Sequence, residues 1–134
     1  MHPLRILREF GHATVEQNKT LLAENVVFHS PVLVKAVTGR DTVAAIFAAS
    51  ASVREGQYVA EHKLDDRTTF LWWKGTIDGH EIESFDVLVD DAQGLLKERT
   101  AADRPFPAVA IFRAAVYPKL KDVLPPDVWE YSAK

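Results

Sequence analysis

The chain has 134 residues, of which 47% are hydrophobic and 26% charged, a balance that is typical of one globular domain and not of a disordered chain. Its formal net charge of −3 and the lack of basic runs argue against nucleic acid as a partner, because phosphate binding requires clustered Lys and Arg. The absence of cysteine excludes disulfides, thiolate metal ligands and a cysteine nucleophile.

The sequence also argues against a membrane partner. Its longest uncharged run, residues 42–53, is much shorter than the ~18 apolar residues that a spanning helix needs. Charge begins at Arg5, which is too early for a signal peptide. We therefore expect a cytoplasmic protein, organised as one domain over residues 1–134 with residues 118–134 as a C-terminal tail.

The N-terminal region predicts two short helices. Pro3 suits the first turn of a helix, and Gly11 is the expected stop. Thr14 and Gln17 have the spacing of a capping box, which predicts a second helix that continues through residues 21–23.

The rest of the chain predicts a sheet between two further helices. Residues 25–30 indicate a strand, and a helix is expected after Gly39 because apolar residues then recur at helical spacing. Four more strands are expected at residues 57–64, 67–77, 80–89 and 95–103. Residues 108–116 predict a last short helix. This order favours an α+β domain in which a curled sheet and the helices enclose a pocket.

The strongest local signal is Asp78-Gly79, a two-residue turn in which both residues can adopt positive φ. A hairpin with this loop matches favourable partners across its strands. The predicted pairs are Ile77–His80, Gly75–Ile82, Lys74–Glu83, Trp73–Ser84, Trp72–Phe85 and Leu71–Asp86. Asp86 then lies in mid-strand on the same face as Leu71 and Trp73.

Two further loops set the register of the neighbouring strands. For a turn at residues 65–66, the predicted pairs are Tyr58–Trp73, Ala60–Leu71 and His62–Thr69. For a loop at residues 91–94, they are Asp90–Leu95, Asp86–Arg99 and Ser84–Ala101. A slip of one residue in any loop moves a whole strand to the opposite face.

The two predicted sheet faces differ in composition. One mixes bulky apolar groups with a few polar ones, as small-molecule pockets do, and includes Tyr58, His62, Leu71, Trp73, Ser84, Asp86 and Arg99. The other is almost wholly apolar and needs a cover; it includes Phe70, Trp72, Phe85, Val87 and Val89. Periodicity alone does not decide which face the helices cover.

Four segments together resemble the nuclear transport factor 2-like superfamily, and within it the SnoaL-like polyketide cyclases and ketosteroid isomerases. They are residues 21–31 (LLAENVVFHSP), 38–46 (TGRDTVAAI), 77–88 (IDGHEIESFDVL) and 94–105, which ends in Asp-Arg-Pro. The resemblance implies a cone, in which a strongly bent antiparallel or mixed sheet wraps around N-terminal helices. It also implies a small apolar or aromatic ligand, no cofactor, and a homodimer packed through sheet surfaces.

The catalytic positions of these families are matched only in part. Where ketosteroid isomerases have a general-base Asp before a Pro, this chain has Ser30, which cannot take a proton from carbon. Their second Asp donates a hydrogen bond to the oxyanion, and the spacing to Gly94 matches Asp86 to it. The acid/base Asp of the cyclases falls near Ala101. The first-helix Tyr of the ketosteroid isomerases has no clear counterpart, and Phe10 is nearest in character.

Each candidate residue has a functional and a structural interpretation. Asp86 is either a pocket acid that binds a ligand oxygen or the partner of Arg99 in an ion pair that keeps it ionised. His62 is either the replacement base or an exposed residue at a strand edge. Tyr58 and Trp73 are either pocket walls or plain core. Further ligand contacts are expected from Leu71, Ser84, Arg99 and Ser30, and no spacing indicates a metal site.

Three hypotheses remain open at this stage. The first is a binding protein for a compact apolar or aromatic molecule with a carbonyl or enol oxygen; if it is an enzyme, it moves a proton next to that carbonyl in an isomerisation or cyclisation. The second is a non-catalytic binding or dimerisation module, favoured by Ser30 and Ala101 at carboxylate positions. The third is a scaffold that offers its apolar face to a different protein.

Overall fold

The computed structural model describes residues 1–10 and 13–131, so the expected helix stop at Gly11 lies outside the described residues. The helices are α1 (Pro3–Glu9), α2 (Val15–Lys19), α3 (Arg40–Val53) and α4 (Phe106–Leu120), followed by a 3₁₀ turn at Pro126–Val128. The strands are β1 (Leu22–His29), β2 (Val37–Thr38), β3 (Glu55–Lys63), β4 (Thr68–Ile77), β5 (His80–Asp90) and β6 (Leu96–Arg104).

The strands form one mixed sheet in the order β2-β1-β6-β5-β4-β3. Neighbouring strands are antiparallel except β1 and β6, which run parallel. Irregularities in the pairing of β1, β3 and β6 bend the sheet, because an extra residue in one strand increases its local twist. The predicted α+β cone is confirmed.

The apolar faces of α3 and α4 cover the concave side of the sheet, called here the inner face. The buried residues that form this core include Val43, Ile46, Phe47, Ala108, Phe112, Val116, Leu71, Trp73 and Leu88. Helix α4 is longer than predicted and continues through Pro118 to Leu120. The proline lies in the last turn, where it removes one hydrogen bond while Leu120 remains buried.

The predicted start of α2 is confirmed. Thr14 Oγ1 accepts a hydrogen bond from the Gln17 amide at 3.1 Å, and Gln17 Oε1 accepts one from the Thr14 amide at 2.8 Å. The prediction that the helix includes residues 21–23 is wrong, because the chain turns into β1 at Leu22. Leu22 is buried beside Leu96 of β6, so tertiary packing ends the helix early.

The hairpin at Asp78-Gly79 is confirmed. Asp78 has φ 47° and Gly79 has φ 78°, and all six predicted pairs between β4 and β5 are present. In the β3–β4 pair, Tyr58 lies opposite Trp73 as predicted.

The remainder of the β3–β4 register differs from the prediction. A bulge at Val59 places Ala60 opposite Trp72 and His62 opposite Phe70, so the predicted pairs Ala60–Leu71 and His62–Thr69 are wrong. The bulge moves the rest of β3 by one residue, which reverses its faces. His62 therefore lies on the convex side of the sheet, called here the outer face, where it is exposed.

The β5–β6 register is shifted by two residues from the predicted one. Asp86 lies opposite Ala101 and Ser84 opposite Asp103, so the predicted pairs of Asp86 with Arg99 and Ser84 with Ala101 are wrong. Lys97 is the extra residue of a bulge, and Asp90 pairs with Leu96 instead of Leu95. Because side chains alternate with period two, this shift leaves Arg99 on the inner face with Asp86.

Candidate functional site

A group of buried polar side chains lies on the inner face; Arg54, Ser84, Asp86, Arg99 and Asp103 are called here the polar cluster. Arg99 Nη2 donates a hydrogen bond to Asp86 Oδ2 at 2.9 Å. Asp86 is 1% exposed and Arg99 4%. Although the predicted cross-strand register is wrong, the ion pair forms diagonally between Arg99 and the carboxylate.

A second ion pair lies beside the first. Arg54 Nη1 is 3.3 Å from Asp103 Oδ2 and donates to Ser84 Oγ at 3.2 Å, while the Ser84 hydroxyl donates to Asp103. Sequence reasoning missed both Arg54 and Asp103. Alternation from Arg99 places Asp103 on the inner face and could have found it, whereas Arg54 follows the end of α3 and has no such signal.

Burial changes the proton affinity of this second pair. It raises the pKa of the Asp103 carboxyl above its usual range, although Arg54 and the Ser84 hydrogen bond oppose this effect. It lowers the pKa of the Arg54 guanidinium to about 9, and the charge of Arg8 is the next cause. Arg54 thus remains protonated at neutral pH, and the Asp103 carboxyl keeps its proton to a higher pH than an ordinary Asp does.

Aromatic rings enclose both guanidinium groups. The Arg99 Cζ atom is 4.6 Å from the ring centre of Phe47 and 5.1 Å from that of Phe28. The Arg54 Cζ atom is 4.7 Å from the ring centre of Trp73 and 4.3 Å from that of Phe112. The central cavity between these groups has a volume of only about 10 Å³, enough for about one water molecule. The cone is therefore nearly filled by its own side chains.

A larger space lies at the edge of the cone, between α1, the end of α3 and the start of β3. This mouth groove has a volume of about 270 Å³ and is lined by residues that include Arg8, Arg54, Tyr58 and Trp73. Arg54 belongs to both the groove and the polar cluster, so its side chain lies between the two.

The indole of Trp73 packs against two glycines that face each other across neighbouring strands. Gly56 and Gly75 are opposite each other in β3 and β4. A Cβ atom at either position would collide with the Trp73 indole and with the neighbouring backbone. The absence of a side chain therefore lets the ring lie flat against the strands, where it forms the floor of the groove.

Helix α1 is held beside the groove by His2, a residue that sequence reasoning did not single out. His2 Nε2 is 2.9 Å from Asp90 Oδ1, and its Nδ1 accepts a hydrogen bond from the Leu4 amide at 3.1 Å. The His2 amide also donates to Glu61 at 2.9 Å. These contacts fix the start of α1 on the sheet and thereby position Arg8.

The structure brings most of the predicted site residues to the mouth groove or the polar cluster. Tyr58 and Trp73 line the mouth groove, and Ser84 and Arg99 join Asp86 in the polar cluster. Ser30 lines the central cavity, and its hydroxyl accepts a hydrogen bond from the Val32 amide at 3.2 Å.

Two predicted site residues lie elsewhere. Leu71 is fully buried in the core and lines neither the groove nor the central cavity. His62 lies on the outer face, so the predicted grouping of His62 with Asp86 on one face is wrong. Phe10, the nearest match to a first-helix Tyr, is 80% exposed.

Several buried polar atoms of the site have no hydrogen-bond partner within residues 1–10 and 13–131. They are Arg54 Nε, Tyr58 Oη, Asp86 Oδ1 and Arg99 Nε. Buried polar atoms are normally paired, so their convergence marks a place with unused hydrogen-bonding capacity. In the same described residues, no group of three His or carboxylate side chains is arranged to hold a metal ion.

Solved structures share this architecture. An uncharacterised bacterial protein with a cystatin-like fold from Silicibacter pomeroyi is 25% identical with a TM-score of 0.83, over 92% of this chain and 89% of that one. A steroid delta-isomerase from Pseudomonas aeruginosa is 21% identical with a TM-score of 0.75, over 81% and 80%. An NTF2-like protein of unknown function from Cytophaga hutchinsonii is 16% identical with a TM-score of 0.56, over 79% and 84%.

The chain therefore shares the fold of these three solved proteins, one of which is NTF2-like. No protein-family model matches the sequence, and no curated protein matches it. No helix within the described residues has the length and apolar character needed to cross a membrane.

Proposed function

We propose that this protein binds a compact planar molecule in the mouth groove, with its polar end directed toward the polar cluster. The observation that carries the proposal is the convergence of unpartnered buried polar atoms beside an aromatic floor. Arg54 Nε and the Tyr58 hydroxyl both belong to residues that line the groove. A ligand oxygen offers these donors the partner that the described residues do not supply. Similarity in fold to a steroid delta-isomerase supports binding of a small molecule.

Titration with a planar phenol tests this proposal, with tryptophan fluorescence and calorimetry as the two readouts. The parent protein is expected to show saturable binding. Trp73→Leu, which removes the floor, should weaken binding at least tenfold, because aromatic contact area dominates such sites. Trp72→Leu is the matched control, since Trp72 lies on the outer face and should leave the dissociation constant nearly unchanged. Equal effects of the two substitutions, or no saturable binding by the parent, would refute the groove as the site.

A second candidate function is proton transfer next to a carbonyl, which the raised pKa of Asp103 favours. Asp103 replaces Asp86 as the proposed acid or base because burial raises its pKa, although each carboxylate is held in an ion pair. His62 has no part in this proposal. Exchange of deuterium into an enolisable ketone, followed by NMR, is expected for the parent and lost in Asp103→Asn, with binding retained. Equal exchange by both proteins would contradict catalysis by Asp103.

The non-catalytic alternative has its own support in the small central cavity of about 10 Å³, which leaves little room for substrate beside Asp103. It predicts phenol binding in the mouth groove without any deuterium exchange above the buffer rate. The two readouts therefore separate a binding module from an enzyme.

We also propose a homodimer through the outer face. Phe85 stacks between its neighbours, with ring centres 6.0 Å from Trp72 and 6.4 Å from Phe70, and Val87 is 37% exposed. Lys74 and Glu83 add both signs of charge to the same surface. This mixture suits a second copy, because a two-fold interface brings the same patch against itself.

Sedimentation equilibrium of two matched variants tests the dimer. Val87→Lys puts a charge into the proposed interface and should give monomers. Val123→Lys changes a valine that is 48% exposed outside the sheet and should leave the dimer intact. A parent protein that is monomeric at micromolar concentration would contradict the proposal.

A further inference from the structure

Arg8 is a cation of the mouth groove whose charge is not matched by a carboxylate. Its Cζ atom lies 5.7 Å from the ring centre of Trp73 and 5.8 Å from that of Tyr58. Within residues 1–10 and 13–131, it forms no ion pair. Arg5, one turn earlier on the same helix, is paired with Glu9 at 2.9 Å and with Glu61 at 3.4 Å. The guanidinium of Arg8 therefore retains its hydrogen-bond donors for a ligand.

A second guanidinium lies in the same groove. The Arg54 Cζ atom is 4.7 Å from the ring centre of Trp73, so both arginines flank one indole. Their charges repel, and this repulsion contributes to the lowered pKa of Arg54. Asp103 balances the charge of Arg54, which leaves the charge of Arg8 in excess.

The two carboxylates at the groove do not cancel this excess. Glu9 lines the groove, but its carboxylate is paired with Arg5 at 2.9 Å. Glu55 is exposed and precedes Gly56 in β3, so alternation directs its side chain away from the face that carries Gly56 and Tyr58. An anion between Arg8 and Arg54 would reduce the mutual repulsion of the two guanidinium groups.

We infer that the ligand of the mouth groove is a small aromatic carboxylate, with its carboxylate held by Arg8 and Arg54 and its ring packed on Trp73 and Tyr58. A guanidinium binds a carboxylate through two parallel hydrogen bonds, which combines charge with a defined orientation. The aromatic floor distinguishes this ligand from an inorganic anion. The inference rests on the mouth groove of the proposed function and adds the chemical class of its occupant.

Calorimetric titration with three probes tests the inference. Benzoate has both the ring and the charge, benzamide has nearly the same shape without the charge, and acetate has the charge without the ring. We expect benzoate to bind at least tenfold more tightly than either of the others, with an affinity that falls as salt is added. Arg8→Gln should weaken benzoate about tenfold and leave benzamide unchanged.

Two further variants keep the test specific. Lys121→Gln removes one positive charge from an exposed residue outside the groove lining, and should change benzoate affinity less than twofold. Arg8→Lys keeps the positive charge but loses the planar guanidinium group that donates two parallel hydrogen bonds. The benzoate affinity of this variant should therefore lie between those of the parent and Arg8→Gln. Circular dichroism confirms that each variant is folded.

The outcomes separate this inference from the proposed function. If benzamide and the planar phenol bind as tightly as benzoate, the carboxylate inference is refuted and the groove remains a binding site. If Lys121→Gln and Arg8→Gln weaken benzoate binding equally, only long-range charge acts and the inference is also refuted. If none of the aromatic probes binds, both proposals are refuted.

Discussion

Trp72 and Trp73 are neighbours in β4 but belong to different environments. Trp73 is buried between two arginines and a pair of glycines on the inner face, where the helices cover it. Trp72 lies half-buried on the outer face, stacked on Phe85 and hydrogen-bonded to Glu83 at 3.0 Å. One sheet thus presents a charged, enclosed surface on one side and an apolar, open surface on the other. We propose that the first surface serves ligand binding and the second serves dimer assembly.

The largest expected change in stability distinguishes the ion pairs on the two faces. Arg99→Leu leaves the buried Asp86 carboxylate without its partner and should lower the free energy of unfolding by about 3–5 kcal/mol. Arg104→Leu removes an exposed partner of Glu83 and should leave stability nearly unchanged. Urea unfolding measures both, and comparable losses would show that the inner pair is not effectively buried. Replacing both Asp86 and Arg99 by Leu should recover part of the loss.

A smaller effect is expected from crowding the floor of the groove. Gly75→Ala puts a Cβ atom against the Trp73 indole and should lower the free energy of unfolding by about 1–3 kcal/mol. Thr76→Ala, one residue later on the outer face, should change it by about 0.5 kcal/mol or less. Thermal unfolding with tryptophan fluorescence measures both. A silent Gly75→Ala would mean that both Trp73 and the neighbouring β3 backbone move easily, so that Trp73 is not a fixed floor.

The smallest expected effect is a difference in pH dependence between the two faces. The pKa of Asp103 is raised in the folded state, so its contribution to stability falls as pH rises from the ordinary Asp value through the raised value. The pKa of Glu83 is lowered by Arg104 and Trp72, so its contribution falls as pH decreases below the ordinary Glu value.

Asp103→Asn and Glu83→Gln should therefore change the pH profile of stability with opposite slopes between pH 3 and 7. Urea unfolding across this range, with each variant subtracted from the parent, gives the two slopes. Slopes of the same sign would contradict the assigned environments.

Local signals in the sequence predicted much of the fold. The turn at Asp78-Gly79 set the whole β4–β5 register, because only two residues with positive φ close this tight loop. The capping box at Thr14 and Gln17 formed as predicted. Period-two alternation correctly grouped Trp73, Ser84 and Asp86 on one face, since it depends only on the extended backbone.

The candidate site was less accessible to such reasoning. His62 was assigned to the wrong face because the bulge at Val59 leaves no mark in composition or periodicity. Arg54 was missed because its contact with Asp103 joins residues 49 positions apart, from the end of a helix to a strand. Arg8 enters the groove because contacts of distant segments, such as His2 with Asp90, hold α1 on the sheet.

The sequence by itself determined the class of fold, the central hairpin and the membership of its two faces, because turns and alternation are properties of the local backbone. Only the tertiary structure decided which face the helices cover and where the bulges bend the sheet, since both depend on packing between distant segments. The same packing filled the cone with two ion pairs and left its open space at the mouth, beside Trp73 and Arg8.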